Sequence, residues 1–323
     1  MNIDLSHEAQ EYGRLARRAF EAAGGDLLVQ QAEQAPDGRA ALVEPVFAEL
    51  GAWDLDPRAD ADELEAAAAL CRSAGYWAVP YPVAERLARP TDLDAAGLIV
   101  VGDTNPAGPV AGLELAWVAV TLDGRRRLAS PQPTTAPART SAFVAPLALA
   151  PIEGEGGDDA GGGDHSADVA LGLVLPCWTL LGMLDRAIDL TTQHVREREQ
   201  FGQPLAGFQG VQFQLTEAEV ERSGVEMLAR YALWSIEAGR RDGVEDALAL
   251  RMAALEAAEC VLRVTHQLHG ATGFCDETTL SWVSRYSQPL RRLPFGLSAT
   301  RDHLTRRIGA TGLAGLFGDG IGS

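Results

Sequence analysis

From Ser6 to about Pro90 the apolar positions recur with the three-to-four-residue spacing of amphipathic helices, interrupted by glycines. Ser6 can cap a first helix, rich in Ala, Leu, Glu and Arg, that ends at the Gly24-Gly25 pair. A second is predicted over Ala40 to Leu50, stopped by Gly51. A third is predicted over Asp60 to about Ser73, with Asp and Glu crowded into its first turn, where the helix dipole favours them. Between Leu93 and Ala150 the pattern changes to short apolar runs punctuated by Gly, Pro and Asp: Leu98 to Val101, Leu115 to Val120, and Phe143-Val144. These predict strands, and Asp123-Gly124 between two runs predicts a hairpin. Glu153 to His165 is almost devoid of hydrophobes and reads as a surface connector, too loosened by glycine for Asp158, Asp159, Asp164 and His165 to hold a cation. Beyond Asp168 the helical spacing returns: one long helix over Leu173 to Arg198, a second through Val211, Leu215, Ala218 and Val225, and a third through Leu248, Met252, Leu255 and Leu262. Turns at Gly239 to Gly243 and Gly270 to Gly273 separate them, and shorter helices follow over Thr279 to Ser287 and Leu297 to Arg307. Helices of this length joined by short turns bury their apolar stripes only by packing side by side, which predicts a bundle.

The expected organisation is therefore an N-terminal helical domain (1–92), a small β domain (93–166, with a linker over 151–166) and a C-terminal helical bundle domain (167–323). A chain of 323 residues with 46% hydrophobic side chains can bury cores of this size. Its formal charge of −18 opposes binding to nucleic acid. Every cation is Arg, since the chain contains no Lys, so arginine richness alone carries no functional weight. Cys71, Cys177, Cys260 and Cys275 have no CxxC spacing and are expected to be free, buried thiols. No uninterrupted apolar run reaches the roughly twenty residues needed to span a bilayer, and the chain is expected to be cytoplasmic.

One stretch is more specific than any periodicity: Arg196-Glu197-Arg198-Glu199-Gln200-Phe201-Gly202-Gln203-Pro204-Leu205, followed by Phe208-Gln209 and Val211-Gln212. A solvated helix end explains the Gly and Pro but not the Arg-x-Gln-Phe core. An Arg fixed beside a helix terminus can make bidentate bonds to a pyrophosphate, and a neighbouring Phe can lie against a flat ring. A second stretch, His266-Gln267-Leu268-His269-Gly270-Ala271-Thr272-Gly273-Phe274, places small residues where a backbone could approach a phosphate. Taken in register, the two segments resemble the acyl-CoA dehydrogenase family, whose bundle carries an R-x-x-F-G-x-x-[LI]-x-x-x-Q segment and a Q-x-x-G-G-x-G-[YF] turn. Glu277 and Arg285 fall where that family has Glu and Arg.

The resemblance implies a mainly α fold with an N-terminal helical domain, a reduced middle β domain and a C-terminal four-helix bundle. It also implies FAD as cofactor. In the family two subunits share each FAD, so Arg198, Gln200, Phe201, Leu205, Phe208, Gln267, Leu268, Gly270 and Ala271 would contact a flavin seated chiefly in a partner. The family's usual catalytic Glu stands nine residues beyond the Arg matched by Arg285, and here that place is Pro294, followed by Phe295 and Gly296. The alternative position, near the start of the long helix, falls at about Gly172, with Asp168 the nearest acid. A Thr-Glu-Pro-x-x-Gly-Ser-like loop is absent between Leu93 and Ala150, and Trp117 is followed by Val118-Ala119, not by the hydroxyl residue of the family's Trp-x-[ST] strand.

This combination resembles the non-catalytic subunit of the heteromeric (α2β2) acyl-CoA dehydrogenases of actinobacterial steroid catabolism. It implies a subunit that is inactive alone and anchors FAD for a catalytic partner acting on a bulky, steroid-type CoA thioester, with no catalytic residue of its own and no metal. Two other readings stay open from the residues: a homomeric acyl-CoA dehydrogenase with a displaced base at Asp168, Asp276 or Glu277, and a flavin-free scaffold.

Overall fold

The computed structural model describes residues 3–133, 143–152 and 164–312; the predicted connector lies for the most part outside them. The chain opens with helices α1 (His7–Ala22), α2 (Leu27–Gln34), α3 (Arg39–Glu49), α4 (Ala61–Tyr76) and α5 (Val83–Leu87). Ser6 caps α1 by accepting a hydrogen bond from the Ala9 N–H at 3.2 Å. Asp60 does the same for α4 through the Glu63 N–H at 3.0 Å. The break after α1 falls at Gly24 and Gly25, both at positive φ, as the glycine pair predicts.

A five-stranded sheet follows, built from β1 (Gly97–Val100), β2 (Ala107–Gly108), β3 (Trp117–Val120), β4 (Arg126–Pro131) and β5 (Ala145–Ala150), in the order β1-β3-β4-β5-β2. β1 runs parallel to β3 and the remaining pairs are antiparallel. Asp123-Gly124 does sit in the β3–β4 hairpin, with Gly124 at φ 84°. Phe143-Val144 differs from expectation: the strand begins only at Ala145, while the Phe143 ring is buried beneath the Arg39 guanidinium at 4.7 Å.

The third part comprises α6 (Ser166–Glu197), a two-stranded ribbon of β6 (Glu199–Gln200) and β7 (Gln203–Pro204), α7 (Gln209–Glu237), α8 (Gly243–His269), α9 (Thr279–Tyr286), α10 (Gln288–Arg292) and α11 (Leu297–Thr311). The long helix starts well before the predicted Leu173, because residues from Val169 onward are buried against the rest of the protein. Its length and apolarity would suffice to cross a membrane, but 78% of its most apolar stretch is buried inside the protein, as in a core helix. One continuous hydrophobic core runs through helices, sheet and bundle.

Two glycines set how closely α4 and α6 approach. A Cβ on Gly75 would stand 1.9 Å from the Thr179 carbonyl oxygen, and one on Gly182 the same distance from the Arg72 carbonyl oxygen. Charge reinforces this contact: Arg72 on α4 bonds Asp185 on α6 at 2.7 Å and Glu226 on α7 at 3.1 Å. Arg222 and Arg230 close the network on Glu226, each at 2.6 Å, and Arg72 above all, with these two, holds its carboxyl down at about 2 against burial. The expectation of four buried thiols needs correction. Cys71 and Cys177 are buried on helices α4 and α6, Cys260 is half-buried and Cys275, in the turn beyond α8, is exposed.

Candidate functional site

Helix α6 ends at Glu197, and Arg198 turns the chain into extended conformation while its N–H still bonds the His194 carbonyl at 2.8 Å. The β6–β7 ribbon is closed by Phe201 and Gly202, at φ 54° and 82°. Two successive left-handed residues are what a two-residue hairpin needs to match strand twist, and Gly adopts this freely whereas Phe does not. Phe201 therefore carries backbone strain of about 1–2 kcal/mol while its ring is 92% exposed. The Phe208 ring meets it edge-on at 6.3 Å. The Leu205 N–H bonds the Arg198 carbonyl at 2.8 Å, which folds the ribbon back on the helix end. Arg198 and Gln200 are exposed, Leu205 and Phe208 half-buried. The Arg198 guanidinium makes no hydrogen bond or ion pair among the described residues.

The second motif lies at the end of α8. Gly270 terminates the helix at φ 62°, with no atom within 4 Å of where a Cβ would lie. Gln267, Gly270 and Ala271 are exposed and Leu268 is half-buried. Between them His269 turns inward: its Nδ1 lies 2.9 Å from the Thr265 carbonyl oxygen, to which it donates, and its ring stacks on His194 at 4.3 Å. His194 stands one helical turn before Arg198. The imidazole stack thus joins two segments far apart in sequence into one surface. Burial, together with the Arg198 cation, lowers the His194 pKa. Burial, and the adjoining imidazoles His194 and His266, lower that of His269, so both rings are neutral around pH 7 and can stack without repulsion.

This surface fits a dinucleotide pyrophosphate and an adjacent flat ring: an unengaged guanidinium, a displayed phenyl ring and a helix end left open by Gly270. It is one-sided, with Arg198, Gln200, Phe201 and Gln267 all facing outward.

The family's base position is differently furnished. Pro294 lines a cavity of about 100 Å3 enclosed by the N-terminal helices, the sheet and α6, α8 and α10. None of the three acids considered from the sequence lines it. Asp168 is buried under Arg58 and Arg126 at 2.7 and 3.3 Å. Asp276 pairs with Arg285 at 2.6 Å. Glu277 is exposed beside a separate shallow depression near Arg186 and Trp77. The one carboxyl among the described residues lining the cavity is Glu85, which sequence reasoning missed. Its only sequence signal is an acid flanked by Val83-Ala84 and Leu87 in a short apolar helix. Burial pushes its pKa up to about 7, against smaller lowering by a hydrogen bond from its own backbone N–H and by the Arg39 cation. In the sheet Trp117 is fully buried and its indole N–H has no partner among the described residues, so this strand displays no polar group at that point.

Residues 173–296 match the family model for the acyl-CoA dehydrogenase C-terminal domain. The chain has the acyl-CoA dehydrogenase fold. It superposes on the ChsE4-ChsE5 complex from Mycobacterium tuberculosis with a TM-score of 0.74, 16% identity and coverage of 96% of this chain and 100% of that one. For the Tcur3481-Tcur3483 steroid ACAD the TM-score is 0.76 at 22% identity, over 95% and 99% of the two chains. Among curated relatives, FadE27 of Mycobacterium tuberculosis is 30% identical over 140 residues, 40% of this chain and 35% of that protein. The acryloyl-CoA reductase (NADH) of Anaerotignum propionicum is 30% identical over 105 residues, 32% of this chain and 26% of its own. The chain thus spans about a quarter to a third of the length of the curated relatives it matches. The cofactor that the family match and the structural neighbours support is FAD.

Proposed function

We propose that this chain is a FAD-sharing subunit of a heteromeric acyl-CoA dehydrogenase, inactive alone, that anchors the flavin of a catalytic partner of the same fold in an α2β2 assembly. The observation that carries the reading is a contrast within one chain: the outward-facing Arg198–Phe201 and Gln267–Ala271 surface is complete, whereas the base position is Pro294. FAD, when bound, supplies the hydride acceptor for dehydrogenation of a CH–CH bond. On this chain Arg198 holds the pyrophosphate by charge-assisted hydrogen bonds, Phe201 lies against a ring of the cofactor, and Gly270 lets the backbone come close to phosphate oxygen. Gln200, Leu205, Phe208, Gln267, Leu268 and Ala271 frame these contacts. The proton is taken by a carboxylate of the partner.

Association is further supported by α7, which leaves Phe213, Val220 and Met227 exposed at seven-residue intervals along one face. The likeness to two solved complexes, one named as a steroid ACAD, supports a bulky steroid-type CoA thioester as substrate. The acidic chain, free of disulfides among its described cysteines, suits the cytoplasm.

The test is purification of this chain alone and after co-expression with a neighbouring acyl-CoA dehydrogenase-like protein, followed by visible flavin absorbance and native mass. Colourless protein alone and a yellow tetramer with one FAD per heterodimer is the expected result. Yellow, active protein from this chain alone would overturn the reading.

A further inference from the structure

The seam between the two segments of the proposed flavin surface is made of imidazoles. His194, in the last turn of α6, lies face to face with His269, the last residue of α8, with 4.3 Å between ring centroids and 17° between ring planes. One turn earlier on α8, His266 stacks in the same manner on the Phe274 ring, at 4.3 Å and 15°. His269 is 9% exposed. Its Nδ1 faces the Thr265 carbonyl oxygen at 2.9 Å and the Thr191 hydroxyl of α6 at 3.5 Å. That hydroxyl donates to the Ala187 carbonyl at 2.7 Å, so α6 offers the ring no stronger partner. Neither stacked ring pairs with a carboxylate among the described residues. Two neutral imidazoles attract through their faces, whereas two imidazolium ions at this separation repel.

We propose that His194 and His269 are positioning residues of this surface and that their stack is a proton-released latch: the neutral pair holds the Arg198–Phe201 segment against the Gln267–Ala271 turn, and protonation of the pair parts them and lets the cofactor go. The latch rests on the reading of this surface as a FAD anchor. Few charges act on the row of rings. Arg198 and Glu197 at the end of α6 act on His194 in opposite directions, with the arginine the stronger. Arg291 of α10 acts on His266, and His194 and His266 act on His269. α7, α9 and the β6–β7 ribbon bring no charge to bear on these rings among the described residues. Burial above all, with the neighbouring cations, works against a proton on each ring, and Glu197 and the backbone of Thr265 and Gly273 offset it only in part. Rings that bind protons less readily stacked than apart make acid favour the parted state. The latch is therefore closed above the ordinary histidine value of 6.5 and opens as the pH falls below it.

The experiment has two arms. In the first, amide hydrogen exchange of the full chain without flavin is followed by mass spectrometry from about pH 7.5 to about pH 5 and corrected for the intrinsic pH dependence of exchange. Opening of the peptides covering 198–205 and 267–275 is expected to rise on acidification by more than the roughly tenfold per pH unit that one proton allows, and by up to about a hundredfold, while α4 stays protected. His194→Phe keeps a ring that can stack but takes no proton, and should flatten this rise to about tenfold per pH unit or less, with circular dichroism confirming that the variant is folded. In the second arm, complexes with the co-expressed partner are gel-filtered at about pH 7.5 and about pH 5.5. At the lower pH the wild-type complex should lose flavin roughly tenfold more readily than the His194→Phe complex. Exchange in both segments that does not change with pH, an equal rise in His194→Phe, or equal flavin loss from the two complexes would overturn the proposal. A complex that carries no flavin even at about pH 7.5 would overturn the anchoring reading and with it the release of cofactor, while the flavin-free arm would still decide whether the stack opens with acid.

Discussion

Phe201 and Glu85 are each held where their side-chain chemistry is least comfortable, one a phenyl ring in solvent at positive φ, the other a carboxyl against an apolar wall. For Arg198, beside that ring, charge-assisted bonds to phosphate are worth about 1.5–3 kcal/mol. Arg198→Ala should therefore weaken FAD retention in the complex by roughly ten- to a hundredfold, measured by flavin content after gel filtration, with the fold unchanged. For Glu85 the sign follows from a folded-state value of about 7 against 4.5 in the unfolded chain. The unfolded chain gives up this proton first, so ionising Glu85 destabilises the native state as pH rises through that interval, and the cost is fully present above about pH 7. Glu85→Gln should thus gain up to about 3 kcal/mol above neutrality and little near pH 4.5, a trend that denaturant titrations across pH would register.

At the scale of elements the decisive contact is α4 on α6. Gly182→Ala would drive a methyl group into the Arg72 carbonyl, and backbone on both sides leaves nothing flexible to move. Separating the helices would also stretch the Arg72–Asp185 and Arg72–Glu226 bonds. The expected loss is about 3 kcal/mol or more, seen as a lowered urea midpoint. Existence and type of the long helices were legible in their apolar spacing, and the capping by Ser6 in residue type alone, whereas Asp60, expected as the first residue of its helix, caps it from outside. The early start of α6 was not, because residues before Leu173 are buried by neighbours distant in sequence. The end of the sheet was misread at Phe143 for the same reason: its ring packs under Arg39 and against Tyr286, and not in a strand.

In the whole molecule Asp168 serves as a joint. From the first turn of α6 it receives Arg58 from the N-terminal helical region and Arg126 from the sheet, with Asp92 sharing the latter at 2.6 Å. Asp168→Asn would remove the carboxylate that Arg58 pairs with and one of those held by Arg126, whose side chain is almost wholly buried. It should cost about 3 kcal/mol, with the fold intact in native mass measurements and the thermal midpoint lowered. Such a role is incompatible with proton transfer at the cavity, which Asp168 does not line.

The sequence by itself determined the helical bundle and the small sheet, and it singled out the two segments proposed to anchor FAD, because helical period, turn glycines and the Arg-x-Gln-Phe core are local properties of consecutive residues. That position 294 carries Pro and no carboxylate was equally readable there. Tertiary structure alone decided that His194 stacks on His269 to fuse the two segments into one surface, and that Asp168 is neutralised by arginines from two other elements. It alone also placed Glu85, from a short helix with no motif, as the carboxyl of the cavity. Burial and charge pairing depend on which distant side chains the fold brings within a few ångströms, and no local pattern encodes that distance.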